Sequence, residues 1–179
     1  MSDHEVTRGE YKAVMGEAPS TASAYDKDRN ELTGDDNVKN NPVNYVSWHD
    51  AIVYCNKRSI KENLEPCYAI GGETTPSKWG KVPTSSNYEN YENWNAAKCD
   101  IMANGYRLPT EAEWEWCWDW YGSISSGTSS SGSASGSNRC LRGGSWYGSD
   151  NIAQVAHRGS GIPYGRSYFY GFRVVRTAK

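Results

Sequence analysis

The sequence predicts an α+β domain in which few, short helices and scattered short strands are joined by long irregular loops. Three observations predict it. Three segments open with one helix-start pattern, Thr7 with Glu10, Ser47 with Asp50 and Thr110 with Glu113, in which a hydroxyl caps an orphan backbone N–H and an acid three residues on returns a bond to the cap. The strand-like runs are brief. The chain between them is rich in Gly, Ser, Thr, Asn and Pro, and no β-α repeat that would build a parallel sheet is present. With 179 residues, 37% hydrophobic, the chain has enough apolar surface for one core, so a single domain over 1–179 is expected.

The first helix is expected to run from Thr7 through Tyr11 and Val14 to Gly16, a natural stop, with Pro19 just beyond. The second places Trp48, Ala51, Ile52 and Cys55 on one face, and carries Lys57, Arg58 and Lys61 toward the end where cations are favoured. The stretch from Gly71 to Asn95, with short apolar runs such as Cys67 to Ile70 before it, reads as loops around brief strands. The third helix follows Arg107-Leu108-Pro109, puts Trp114 and Cys117 on a common side, and gives way to Trp118-Asp119-Trp120-Tyr121, which alternates like a strand. Residues 122–138 are almost wholly Gly, Ser and Thr, which predicts a mobile surface loop. Strands are expected over Cys140 to Trp146 and over Gly171 to Arg176.

Charge and cysteine content exclude several function classes. A formal net charge of −2 leaves no basic footprint for a phosphate backbone, so nucleic acid is not an expected partner. No run of about 18 apolar residues spans a membrane, and Met1-Ser2-Asp3-His4 has neither the basic nor the apolar region of a signal peptide. The chain therefore reads as soluble. Cys55, Cys67, Cys99, Cys117 and Cys140 are odd in number and widely spaced, which fits neither a disulfide scaffold nor a CxxC zinc site. Most are expected to be buried free thiols.

From Tyr147 to Tyr170 a sparse framework, Ala156, Arg158, Pro163 and Arg166, alternates with residues that are mostly Tyr, Ser, Gly and His. That is the composition of a binding surface, since Tyr offers a large amphipathic contact at low entropy cost while Ser and Gly adapt. As strand residues before Gly171, Tyr168 and Tyr170 would share one face and Phe169 the other, so one set is expected inside and most of the tyrosines exposed. His157 has no nucleophile and orienting acid assignable to it and reads as a contact residue. Arg142, Arg158 and Arg173 read as structural hydrogen-bond donors, and the tryptophans 48, 114, 116, 118 and 120 as core.

Glu5-Val6-Thr7, Pro42-Val43 with Ser47-Trp48, Gly105 to Glu115, Arg142-Gly143-Gly144-Ser145-Trp146 and Gly171-Phe172-Arg173 resemble, in that order, the formylglycine-generating-enzyme superfamily. The resemblance covers nearly the whole chain and implies that family's variant of the C-type-lectin-like fold. It does not by itself imply activity. In the oxidase members two cysteines beyond the RGGS block bind copper, a soft metal suited to thiolates. The matching positions here are Gly148 and Ala153. The histidines of the related iron-dependent members have no counterpart in the scattered His4, His49 and His157. A family segment that supplies calcium ligands is missing where Glu113 to Tyr121 fuse two motif blocks, and Glu115 and Asp119 read as ordinary carboxylates. No cofactor or metal and no catalysis are expected.

The stretch from 142 to 173 further resembles the variable region of diversity-generating-retroelement proteins of the treponemal type, in which asparagine codons of a template are rewritten at adenines. The resemblance implies ligand-binding, diversified positions at Tyr147, Gly148, Ser149, Asp150, His157, Gly159, Ser160, Gly161, Ile162, Tyr164, Gly165, Ser167, Tyr168, Phe169 and Tyr170. Changing either adenine of AAC or AAT yields Tyr, Phe, His, Asp, Ser, Gly or Ile but never Lys, Glu, Gln, Met or Trp, and none of the latter occurs at these positions. The implied function is a non-catalytic receptor or adhesin for a protein ligand or surface receptor. It would be held at the cell surface as an outer-membrane lipoprotein by an anchor outside this chain. The alternatives are a metal-dependent oxidase of the superfamily and a structural subunit of an envelope complex.

Overall fold

A computed structural model describes residues 2–19, 24–25, 31–32, 38–110, 116–123, 133, 135–143 and 157–177. Helix α1, Arg8–Met15, opens on the expected reciprocal cap: the Glu10 amide donates to Thr7 Oγ1 at 3.2 Å and the Thr7 amide to Glu10 Oε2 at 2.9 Å. It stops at Gly16, whose φ of 96° suits a residue without Cβ. Helix α2, Trp48–Lys61, repeats the device with Ser47 and Asp50 at 3.1 and 2.8 Å. Trp48, Ala51, Ile52 and Cys55 are fully buried as the spacing predicts, but so are His49, Tyr54 and Asn56 on other faces. The helix is thus central, and the chain wraps it.

The strands are short and pair as two-stranded antiparallel ladders: β1 (Ala24–Tyr25) with β2 (Glu31–Leu32), β3 (Tyr68–Ala69) with β4 (Lys98–Cys99), β5 (Tyr106–Arg107) with β8 (Val175–Arg176), and β6 (Arg139–Arg142) with β7 (Arg158–Gly161). The expected strand at the C-terminus is shorter than its sequence pattern. Residues before Val175 pair instead with the start of the chain, Phe172 O accepting from the Val6 amide and Val174 O from that of Ser2, both at 2.9 Å. Within 71–95, where loops and strands were expected, a 3₁₀ turn (Pro76–Lys78) and helix α3 (Tyr91–Asn95) form. Helix α3 starts from Asn90 in a left-handed conformation (φ 65°) with no side-chain cap, so its sequence carries no capping signal; buried Trp94 pins it to the core.

Residues 117–121 lie alongside β6 without forming a strand, the Cys117 amide donating to Cys140 O, Cys140 to Asp119 O and Tyr121 to Asn138 O at 2.8–3.0 Å. It is Cys117 and Asp119 that are buried, while Trp118 and Trp120, expected in the core, are half-buried. Residues 111–115 of the expected third helix and the end of the strand over 144–146 lie outside the described residues, while Trp116 and Cys117, placed at the end of that helix, are not helical. All five cysteines are free thiols, four of them buried. Trp48, Trp94, Trp116, Tyr54, Tyr68, Leu108 and Phe172 fill the core. Arg139, 1% exposed, is held among them by aromatic faces, its guanidinium 3.8 Å from the Trp48 ring centre and 3.5 Å from that of Trp120, while Nη1 donates to Trp118 O at 2.6 Å. Desolvation pushes its pKa down to about 9.

Candidate functional site

Strand β7 enters the candidate segment from the core side. Its register pairs Arg142 with Arg158, Leu141 with Gly159, Cys140 with Ser160 and Arg139 with Gly161. Gly161 is buried, and a Cβ there would stand 2.7 Å from Trp116, so that position accepts only hydrogen and offers no side chain to a ligand. His157, Gly159 and Ser160 are half-buried along the strand, with Asn138 donating to Ser160 Oγ at 3.3 Å. Arg158 acts as the structural donor expected of it, to Gly122 O at 2.7 Å and to Cys140 Sγ at 3.4 Å, with its guanidinium over Tyr121. Arg173 likewise donates to Asp3 O at 3.1 Å.

Beyond Gly161 the backbone makes two turns, each fastened to the N-terminal end of α2 or to the residues just before it. The Gly165 amide closes the first on Ile162 O (2.8 Å), and buried Pro163 accepts from the His49 amide (3.3 Å). Arg166 then forks onto Asp50, Nε to Oδ2 at 2.8 Å and Nη2 to Oδ1 at 2.9 Å. This pairing is bidentate and mostly shielded from water, the geometry in which an arginine–carboxylate contact is strongest. Asp50 is the same residue that closes the α2 cap, so one carboxylate fixes both the helix start and the candidate segment. Ser167 O accepts from Tyr45 (2.9 Å) and from Tyr170 (3.1 Å), and the latter bond closes the second turn.

That turn replaces the strand expected before Gly171. Tyr168 and Phe169, at its tip, are both exposed, 44% and 46%, while Tyr170 turns in to meet Trp116 edge-on at 5.1 Å. A strand would have separated Tyr168 from Phe169; the Ser167–Tyr170 bond puts them side by side. Ile162, in the first turn, is 41% exposed, and Gly165 is confined, a Cβ there falling 2.9 Å from Ile162 Cγ1. Tyr164 rests edge-on against Tyr91 at 5.6 Å. Tyr147, Gly148, Ser149, Asp150 and Ala153 lie outside the described residues.

Two fixed tyrosines frame the segment that sequence reasoning did not include. Tyr45, at φ 60°, holds its ring 5.1 Å from that of Tyr168, and Asn44 beside it donates to Tyr168 O at 3.4 Å. Tyr91 begins α3. Neither carries a sequence signal, because each meets the segment only through contacts between residues far apart in the chain. Behind them His49 is fully buried, its ring nitrogens without a hydrogen-bond partner among the described residues, and ringed by Trp48, Tyr91 and Trp94. Burial, with the Arg139 and Arg166 charges adding to it, pushes its pKa down to about 3, so the ring is neutral.

The family model for the sulfatase-modifying factor enzyme 1-like domain (FGE-sulfatase) matches residues 1–115 and 114–178. The chain belongs to this family. The two matched stretches meet at Trp114-Glu115, within the run where the sequence fuses two motif blocks. Among solved structures the chain is similar to Treponema denticola variable protein 1, with 30% identity and a TM-score of 0.77 over 95% of this chain and 81% of that one. It shares the fold of CarF at 19% identity and a TM-score of 0.68, covering 98% and 84% of the two chains. A curated relative, the chaperone protein LppX of Paenibacillus barcinonensis, is 41% identical over 112 residues, and this chain spans about a third of its length (32%). The fold read from the motifs, the C-type-lectin-like variant of this superfamily, is the fold of the family, and the likeness to a treponemal variable protein holds over almost the whole chain.

The copper of the family's oxidase members does not fit the donor set of this chain. Its site needs a thiolate pair beyond Arg142-Gly143-Gly144-Ser145, whereas the last sulfur here is that of Cys140, upstream of the block, buried and tied into the β6 ladder.

Proposed function

We propose that this chain is a non-catalytic ligand-binding domain whose residues 147–170 present a diversified surface to a protein partner on a fixed scaffold. The observation that carries the reading is how 157–170 is held. Its fastenings are the main-chain bonds to Ile162 O, Pro163 O and Ser167 O, the framework side chains Arg158 on Gly122 O and Arg166 on Asp50, the Asn138–Ser160 bond and the Tyr170 ring on Trp116. The side chains of Ile162, Tyr168 and Phe169 are left outward. Such a segment keeps its path when those side chains change, which a rewritten binding surface requires. The exposed pair of adjacent aromatics is also the kind of rigid anchor that paratopes use.

The similarity to a variable protein favours this reading over the oxidase, as does the absence of sulfur at Gly148 and Ala153. The neutral surface chemistry of the segment favours protein over nucleic acid as the partner. Cell-surface display as a lipoprotein, through an anchor outside these residues, follows from the same reading.

The gene locus tests it. A nearby near-copy of the codons for Arg142 to Arg173 that differs only at adenines, with a reverse transcriptase gene beside it, is the expected finding, and the differing codons will name the site. A locus with no such copy removes the diversified-surface assignment.

A further inference from the structure

Residues 44 and 45 form a short excursion between two fully buried valines, Val43 and Val46. The Val43 amide donates to Val6 O at 2.8 Å, and Val46 leads directly into the Ser47 cap of α2, so the excursion is tied to the core at both ends. Asn44 and Tyr45 themselves are half-buried. Tyr45 has φ 60°, a left-handed conformation that a bulky residue rarely takes and that persists only where its surroundings enforce it. Three contacts run from this excursion to the tip of the candidate segment. The Tyr45 amide donates to Ser167 O at 2.9 Å, Asn44 Nδ2 donates to Tyr168 O at 3.4 Å, and the Tyr45 ring lies 5.1 Å from the Tyr168 ring at a tilt of 45°.

These contacts are of two kinds. The two hydrogen bonds end on main-chain carbonyls, which any residue at 167 or 168 supplies, so they are blind to side chains. The ring contact is not, because it exists only where position 168 carries a ring. We infer that Tyr45 is a fixed positioning residue of the tip: its ring stiffens the Ser167–Tyr170 turn when residue 168 is aromatic and releases it when residue 168 is small. The carbonyl bonds keep the turn in place in both cases. The changes open to an asparagine codon at 168 divide accordingly. Tyr, Phe and His keep a ring for Tyr45 to meet, whereas Ser, Gly and Asp do not. Tilted ring pairs at this separation attract beyond their area burial, and a tip that is already ordered loses less freedom on binding. One residue outside the segment thus sets whether a given version of the tip is rigid or adaptable.

The consequence for recognition rests on the proposed function; the positioning does not, and the two fail separately. The test is amide hydrogen exchange of the full chain, followed by NMR at the Tyr170 amide, which closes the second turn on Ser167 O. The Gly165 amide, which closes the first turn on Ile162 O, is the internal reference. Tyr45→Ala keeps the backbone amide and removes the ring; with Tyr168→Ser it makes a double-mutant cycle. Each single change is expected to speed Tyr170 exchange about twofold relative to Gly165, the low end for a ring pair because this one is partly in water. The double variant is expected to be no faster than either single one. Tyr45→Phe and Tyr168→Phe, which keep both rings, should leave the rate unchanged. Asn44→Ala should speed exchange about twofold, by the same factor with or without Tyr168→Ser. A double variant accelerated by the product of the single effects, a Tyr170 rate unmoved by Tyr45→Ala, or an equal acceleration at Gly165 overturns the inference. If the adenine-directed copy is missing at the locus while the cycle is non-additive, Tyr45 stands as the positioning residue of the tip and only the diversified surface is lost.

Discussion

In α2 ten of fourteen residues are buried, from Trp48 to Ser59; between 157 and 170 only Gly161 and Pro163 are. The two stretches meet at the first turn of the helix, through Pro163 O on the His49 amide and Arg166 on Asp50, yet they use sequence differently. The helix is specified by side chains: its rings and aliphatic groups fill space that nothing else fills. The segment is specified by its backbone and by two framework cations, Arg158 and Arg166, and turns Ile162, Tyr168 and Phe169 to solvent. A scaffold can carry a changeable surface when the information that fixes the surface's path is stored elsewhere, here in the helix it leans on.

The sharpest way to break that contrast is to truncate the helix side. Trp48→Ala removes a fully buried indole that donates to Cys117 O and forms one wall around Arg139. A loss of about 3–5 kcal/mol is expected, read as a lowered urea midpoint; a loss near zero would mean that the core does not depend on this ring. Next comes the hinge between the two regions. Asp50→Ala unmakes the α2 cap and strands Arg166, and a loss of about 2–3 kcal/mol is expected, below the figure for a fully buried pair because both partners keep some solvent contact. Arg166→Ala alone is expected to cost less, since the cap survives. If the two cost the same, the carboxylate serves only the segment.

The same division explains what was legible in the sequence. Capping boxes at Thr7 and Ser47 are local, three-residue signals, and both helices start where the signal stands. Motif order gave the family and the fold because Arg142-Gly143-Gly144 and Gly171-Phe172-Arg173 hold fixed places in that fold. Helix α3 was not legible, since it has no capping side chain and depends on Trp94 reaching the core. Nor was the turn at 167–170: alternation of Tyr168, Phe169 and Tyr170 fits a strand, and only the Ser167–Tyr170 bond and the Tyr45 contact decide otherwise. Composition marked the candidate segment but not which of its positions face out. Gly161 and Ile162 belong to one list by composition and to opposite sides of the backbone in space.

A third prediction concerns the buried imidazole between the regions. His49 has a folded pKa near 3 against an unfolded value of 6.5, so below pH 6.5 the unfolded chain takes up a proton that the native one refuses. Stability therefore falls as pH drops from 6.5, with a slope approaching about 1.4 kcal/mol per pH unit. His4, whose pKa is raised by its bond to Asp3, works in the opposite direction from an exposed position. Urea unfolding at pH 7, 6 and 5, above the range where carboxylates titrate, isolates the histidine contribution. His49→Leu is expected to flatten the slope; an unchanged slope would place the titrating group elsewhere.

The smallest stability effect is expected where the proposed function is most concentrated. Tyr168→Ala and Phe169→Ala remove side chains that are nearly half exposed, and each should change stability by less than about 0.5 kcal/mol. Tyr170→Ala, one residue on, should cost more because its ring packs on Trp116. The ordering matters more than the magnitudes. A binding tip is distinguished from a core strand by adjacent residues that both tolerate truncation, since in a strand with one buried face adjacent residues cannot both be free. If Tyr168→Ala and Phe169→Ala lower the melting temperature as much as Tyr170→Ala does, the turn is part of the core, and the segment cannot carry a surface that is rewritten while the scaffold stays folded.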